Sequence, residues 1–306
     1  MLKQKTPSKL IPSYRGAVEA WECDQMDHMN VQFYSEKASA ALSHLFNALT
    51  LSPTRIREEG KSLRYKNLRI QYKAELRGGA LMEALSGVRG VTSEGLKGFT
   101  NIYNVITGQL SCNQEFELIY QDLETGERLP LPADVVETAK GLVDEHEGEY
   151  RPAPMKTLVM PAKPLEHMFE TNRSAVDVWE CDAFGNIETR HIVARFSDAA
   201  SHIMAHVGID RQTFKDRNLG SAALDYYMEF NKPIKRSTSL VLRSGLLDRH
   251  EKLFAFGHQL IDCDTGDVMN NTTVLGCYFD MTARKSVQLP PEYQSIPEEQ
   301  LLRNQL

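Results

Sequence analysis

The chain has 306 residues, 42% of them apolar and 25% charged, with a net charge of −6. That is ordinary globular composition, and the length favours two domains of about 150 residues, each able to bury a core. The acidic balance, without a long Lys/Arg run, argues against a nucleic-acid binder; no apolar run reaches the ~18 residues of a membrane span, and the start, MLKQKTPSKLIPSY, lacks a signal-peptide core, so the expected location is the cytoplasm.

The first element expected is a short alternating strand, GAVEAWEC, residues 16–23, with Trp21 in the core. A polar loop, DQMDHMN, follows. Then Val31, Tyr34, Ala38, Ala41, Leu42, Leu45, Phe46 and Leu49 recur at three and four, which predicts a helix starting near Val31 and burying that stripe. Four strand patterns come next: LRIQYKAEL, LMEALSGVRGV, GFTNIYNVI and FELIYQDL. Turn signals at Arg77-Gly78-Gly79 and Thr107-Gly108 separate them. ADVVETAKGLV reads as a closing helix, and residues 144–164, charged and then Pro-rich, as a connector.

The chain then repeats itself. WECD begins at Trp21 and again at Trp179, a shift of 158 positions (179 − 21). The same shift carries Ser43-His44 onto Ser201-His202, Thr107-Gly108 onto Thr265-Gly266, Tyr120 onto Tyr278 and Leu131-Pro132 onto Leu289-Pro290. So long a register means one fold duplicated, with a period too large for a solenoid. The second copy offers a strand at SAVDVWEC and a helix stripe of Ile192, Phe196, Ala199, Ala200, Ile203 and Val207. Strands follow at YYMEFNKPI, LVLRSGLLD, FAFGHQLID and VLGCYFDM. IPEEQLLRNQL reads as a second closing helix. The layout is α+β, with domains at residues 10–135 and 165–290 and a helix and linker at 136–164. His44 and His202, retained at matched helix positions, are expected to pack, and Trp179 to be core.

The five cysteines, at 23, 112, 181, 263 and 277, form no C-x-x-C pair. They fit a reducing compartment and small buried side chains better than disulfides or zinc. With no ligand-spaced cluster and no Gly-rich phosphate loop, no cofactor is expected.

The loop CDQMDHMNVQFY resembles the signature of the 4-hydroxybenzoyl-CoA thioesterase family, and the strand, helix and strand-run layout resembles the hotdog fold. Asp24 matches the family's catalytic Asp, His28 its His, Asn30 its first Asn and Tyr34 its Tyr, while Asp27 stands where Gly is usual. In the second copy Asp182 and Gly185 match, but Asn186 and Glu188 replace His and Asn. That copy also resembles the small thioesterases of carnitine and betaine breakdown. The resemblance implies two tandem hotdog domains, each a long helix wrapped by an antiparallel sheet, paired back to back with sites at the pair interface. It also implies an acyl-CoA substrate with a small or medium acyl group, and association of chains into a homo-oligomer.

Thioester hydrolysis needs a nucleophile or base and donors for the oxyanion. The Asp24 carboxylate can attack the carbonyl or deprotonate a water, and Asp182 is its counterpart. By analogy with the family, the amides of Val31 and Thr189, at the two helix starts, are the oxyanion donors, in keeping with the unbonded N–H groups and dipole of a helix N-terminus. His28 would polarise the carbonyl or orient a water, and Asn30 would orient the Asp or cap the helix. Glu36 and Glu58 read as solvated or paired charges. Arg64, Lys66, Arg69, Lys73, Lys232, Lys235 and Arg236 read as a solvated strand face before a pyrophosphate site. Two rivals are a non-catalytic acyl-CoA sensor and a hotdog hydratase or dehydratase. Asp retained in both loops argues against the first, and the missing Asn-Pro against the second.

Overall fold

Apolar residues spaced three and four apart do form a long helix in each half of the chain. The structure, a computed structural model, describes residues 9–144 and 155–306. Its contacts divide the chain between Arg151 and Pro152 into two units. The expected connector spans that division, and its residues 145–154 lie outside the described ones.

In the first unit β1 (Ile11–Ala17) leads to α1 (Val31–Ala48), the short α2 (Pro53–Glu59), β2 (Lys61–Tyr72), β3 (Leu81–Val91), β4 (Gly95–Asn104), β5 (Leu110–Asp122) and α3 (Ala133–Gly141). The strands form one antiparallel sheet in the order β1-β3-β4-β5-β2. α1 packs against β1, β3 and β4. It buries Phe33, Tyr34, Ala38, Ala41, Leu42 and Leu45. Leu45 is fully enclosed, so its truncation to Ala would cost about 2–5 kcal/mol. α1 begins where it does because the Asn30 side chain accepts the Gln32 N–H at 3.1 Å. α2 starts from a Ser52 cap with Pro53 in its first turn and stops at Gly60, whose φ is 65°.

The second unit repeats the plan. β6 (Phe169–Ala175) precedes α4 (Thr189–Val207), α5 (Arg211–Asp216), β7 (Leu219–Phe230), β8 (Ser239–His250), β9 (Leu253–Asp262) and β10 (Val268–Asp280). The antiparallel order is β6-β8-β9-β10-β7. α4 lies on β6 and β8 and buries Ile192, Val193, Phe196, Ala199, Ile203 and Val207. Each unit is therefore a hotdog domain, one long helix held by a five-stranded antiparallel sheet. Among the described residues no helix is long and apolar enough to cross a membrane.

Several expectations are corrected, among them the strands expected at LRIQYKAEL and YYMEFNKPI, which begin and end earlier as β2 and β7. The leading strands end earlier than the alternation proposed: β1 stops at Ala17 and β6 at Ala175. Residues 20–22 and 178–180 instead wind into 3-10 turns, each closed by a reciprocal capping box between Glu19 and Glu22 or Asp177 and Glu180. Those turns aim Trp21 and Trp179 outward, 74% and 75% exposed, so neither is core. His44, His202 and Ala200 lie on the exposed sides of α1 and α4 rather than packing. At the C-terminus the chain makes 3-10 turns at Glu298–Gln300 and Leu302–Gln305 instead of an α-helix, with Leu301 and Leu302 fully buried.

Candidate active site

Each Asp loop joins the 3-10 turn to the start of the long helix. Both ends of the first loop are tied: Cys23 bridges to Met29, and the Asn30 N–H donates to the Glu22 carbonyl at 2.9 Å. The Met29 N–H donates to the Leu76 carbonyl at 2.7 Å, which anchors the loop to the segment after β2. Inside this frame the half-buried Asp24 organises the turn. Its Oδ1 accepts the N–H groups of Met26 at 2.8 Å and His28 at 3.2 Å. Among the described residues its Oδ2 accepts no hydrogen bond. Asp24 is therefore not the helix cap, a role Asn30 fills.

The second loop repeats the backbone frame of the first and the two bonds to the Asp Oδ1. Oδ1 of Asp182 accepts the N–H groups of Phe184 at 2.8 Å and Asn186 at 3.0 Å. Cys181 bridges to Ile187, the Glu188 N–H donates to the Glu180 carbonyl at 2.9 Å, and the Ile187 N–H to the Ile234 carbonyl at 2.9 Å. Glu188 makes no side-chain cap bond.

Val31 and Thr189 are the first residues of α1 and α4. Among the described residues their N–H groups meet no acceptor. The helix dipole adds to their pull on negative charge. Each carboxylate loop is thus followed by an open donor at a helix start.

His28 is buried, and its Nε2 lies 3.0 Å from both Glu75 Oε2 and Arg77 Nη2. One ring nitrogen either donates to the carboxylate or accepts from the guanidinium. The side chain is thereby committed to the segment after β2. In the second copy Asn186 takes this place, bridging to Lys235. Tyr34 is also structural at this point: its hydroxyl accepts the Leu76 N–H at 3.3 Å, and its ring meets Tyr72 edge-on. Burial pushes its phenol well above the usual range.

Behind each loop lies an ion pair that the apolar-stripe reading passed over. Lys37 of α1 reaches Glu22 in the 3-10 turn, and it also meets Glu36 at 3.0 Å. Burial disfavours the ammonium, but its bonds to Glu22 and Glu36 outweigh that and raise its pKa. In the second copy Arg195 holds Glu180 through Nη1 at 3.0 Å and Nη2 at 2.8 Å. Burial opposes the Glu180 charge, yet the Arg195 bonds bring its pKa below the usual carboxylate range. The signal was present in sequence: a cation at 37 and again at 195, each interrupting an apolar helix face fifteen residues after a Glu. Of the basic strand residues, Lys66 pairs with Glu117 at 3.0 Å, Lys232 with Asp267 at 2.6 Å, and Lys73 donates to Gln71 at 2.6 Å.

The sequence matches the family model described as the thioesterase-like superfamily twice, over residues 18–138 and 176–296. No curated protein sequence matches the chain. Several solved structures share the fold along nearly its full length. A protein from Lactobacillus plantarum described as an oleoyl thioesterase is 11% identical with a TM-score of 0.68, covering 88% of this chain and 96% of that one. A 12:0-ACP thioesterase from Umbellularia californica is 9% identical at 0.67, covering 89% and 95%. An acyl-ACP thioesterase from Bacteroides thetaiotaomicron is 10% identical at 0.63, covering 88% and 98%.

Proposed function

Because the chain belongs to the thioesterase-like superfamily, we propose that it hydrolyses a small or medium acyl-CoA to the free acid and CoA, with Asp24 at the reacting centre. The observation that carries this reading is the Asp24 carboxylate, pinned through Oδ1 by two backbone N–H groups one short loop before a helix start. Pinning one oxygen orients the other without neutralising it. That oxygen either attacks the thioester carbonyl, giving a mixed anhydride and free thiol, or removes a proton from the attacking water. In both routes the carbonyl oxygen gains negative charge, and the Val31 N–H receives it. A well-placed donor of this kind is worth about 3–4 kcal/mol in other hydrolases. His28 and Asn30 serve by fixing the loop and the helix start.

The second loop supplies Asp182 and the Thr189 N–H, with Glu188 adding a second carboxylate next to that helix start. Two neighbouring carboxylates oppose a developing oxyanion, so this copy contributes little for neutral acyl groups. A cationic acyl group would reverse that preference. Chains associate into an oligomer within this proposal, and light scattering that finds only a monomer would speak against that part.

The test is a released-thiol assay over short, branched, aromatic and trimethylammonium acyl-CoAs, with acyl carrier protein thioesters of the same acids as a second arm. Turnover of a CoA ester supports the reading. Turnover of carrier-protein esters alone moves the substrate class, and no turnover of either sinks the hydrolase.

A further inference from the structure

Of the two ion pairs behind the loops, Glu22–Lys37 is buried on both sides and Glu180–Arg195 is buried on the Arg side and half-buried on the Glu side. Glu22 sits at a junction. Its carbonyl receives the Asn30 N–H, one residue before the helix start, and its Oε2 accepts the Glu19 N–H at 3.0 Å. Its Oε1 takes Lys37, on the buried face of α1. One residue therefore ties the 3-10 turn, the loop exit and the helix body together. Asp24 hangs between these ties, and Val31 follows directly from them.

The second copy builds the same junction from different chemistry. The Glu180 carbonyl receives the Glu188 N–H, its Oε2 accepts the Asp177 N–H at 2.9 Å, and Arg195 closes on both carboxylate oxygens. Arg195 also donates to the Ser174 hydroxyl at 2.9 Å and to the Ala175 carbonyl at 3.0 Å, at the end of β6. The cation differs, yet the connection from helix to turn is kept. An ion pair this enclosed gives little net stability over an apolar pair of equal volume, but it fixes relative placement through directional bonds.

We propose that Glu22–Lys37 and Glu180–Arg195 are positioning pairs that set each Asp carboxylate against the N–H at the start of the following helix. The claim rests on the function proposed above, because placement matters only if that carboxylate and that N–H act on one substrate. A displacement of about 1 Å between reacting groups costs on the order of 100-fold in rate.

The test replaces both cations, Lys37→Met with Arg195→Met, so that whichever loop works is affected. With folding confirmed by circular dichroism, kcat is expected to fall by about 10- to 100-fold while KM stays within about twofold. Swapping the cations, Lys37→Arg with Arg195→Lys, keeps a positive charge opposite each Glu but gives up the Arg195 bonds to Ser174 and Ala175, so kcat is expected to stay well above that of the Met variant, within about tenfold of wild type. Hydrogen exchange supplies a readout free of activity: the amides of Met26, His28 and Asn30 should exchange faster in the Met variant and normally in the swap. If the Met variant folds poorly, adding Glu22→Gln and Glu180→Gln leaves no unpaired buried charge and carries the same test. A folded Met variant with wild-type kcat and wild-type loop exchange overturns the proposal. A wild-type protein inactive on every thioester sinks the hydrolase reading, and the exchange arm then decides the pair's role alone.

Discussion

Asp27 and Gly185 occupy the same position in the two loops and share a left-handed backbone, with φ of 60° and 72°. The turn geometry is common to both copies, but only Gly adopts it without a Cβ penalty, and Asp is among the residues that tolerate it best. Asp27→Gly relieves that penalty but adds the unfolded-state freedom of Gly, so it is expected to change stability by less than about 0.5 kcal/mol, whereas Gly185→Ala is expected to destabilise by about 1 kcal/mol. Urea unfolding of the two variants checks both expectations. A Cβ added at Gly185 would meet only the Arg236 side chain at ordinary contact distance, so the cost is backbone strain and not a clash.

The chain's two tryptophans, Trp21 and Trp179, both face outward. Emission at the wavelength of tryptophan in water and ready quenching by acrylamide are expected. Trp21→Ala and Trp179→Ala should each change stability by no more than about 0.5 kcal/mol, against the several expected of a core residue. A blue-shifted, protected emission would contradict the placement.

His258 gives the protein a pH-dependent stability. It is buried on β9, its Nδ1 lies 2.8 Å from the Ser244 hydroxyl, and its ring tilts against Phe196. Burial pushes its pKa down to about 3. The unfolded chain, with His near 6.5, binds the extra proton first as pH falls. Stability is thus retained above about 6.5 and lost on going down towards about 3, at up to about 1.4 kcal/mol per pH unit. His258→Thr, the residue at the matched position Thr100, should flatten that slope when unfolding is measured between pH 4 and 6.

The long helix of each half, α3 and most strands were legible because the hydrophobic period is set by burial on one face, whereas the short α2 and α5 carry too few turns to show a period. α1 begins at Val31 as the spacing and loop implied, and α4 at Thr189, the counterpart that the family resemblance implied. The 158-residue register gave the duplication directly. Residues 16–23 misled because alternation can arise without a strand: the Glu19–Glu22 and Asp177–Glu180 capping boxes win over extended pairing. That carboxylate-x-x-Glu spacing was visible, but an apolar Trp between its ends outweighed it. Lys37 and Arg195 were hidden for the opposite reason. A cation on a helix reads as solvent-facing until its buried carboxylate partner, fifteen residues away, is folded onto it. The ties of His28 to Glu75 and Arg77 join residues 47 and 49 positions apart, which no local pattern reveals.

Asp24→Asn and Asp182→Asn, made separately and shown to fold, test the central claim through kcat/KM for a neutral acyl-CoA. In the Asp24→Asn variant the side-chain amide still offers an oxygen to the Met26 and His28 N–H groups, so the loop should hold while the negative charge is lost. The account expects Asp24→Asn to lower kcat/KM by about 10²- to 10⁴-fold and Asp182→Asn to lower it by less than about tenfold. Wild-type activity in Asp24→Asn with abolition in Asp182→Asn would reverse the assignment, and full activity in both would contradict the account.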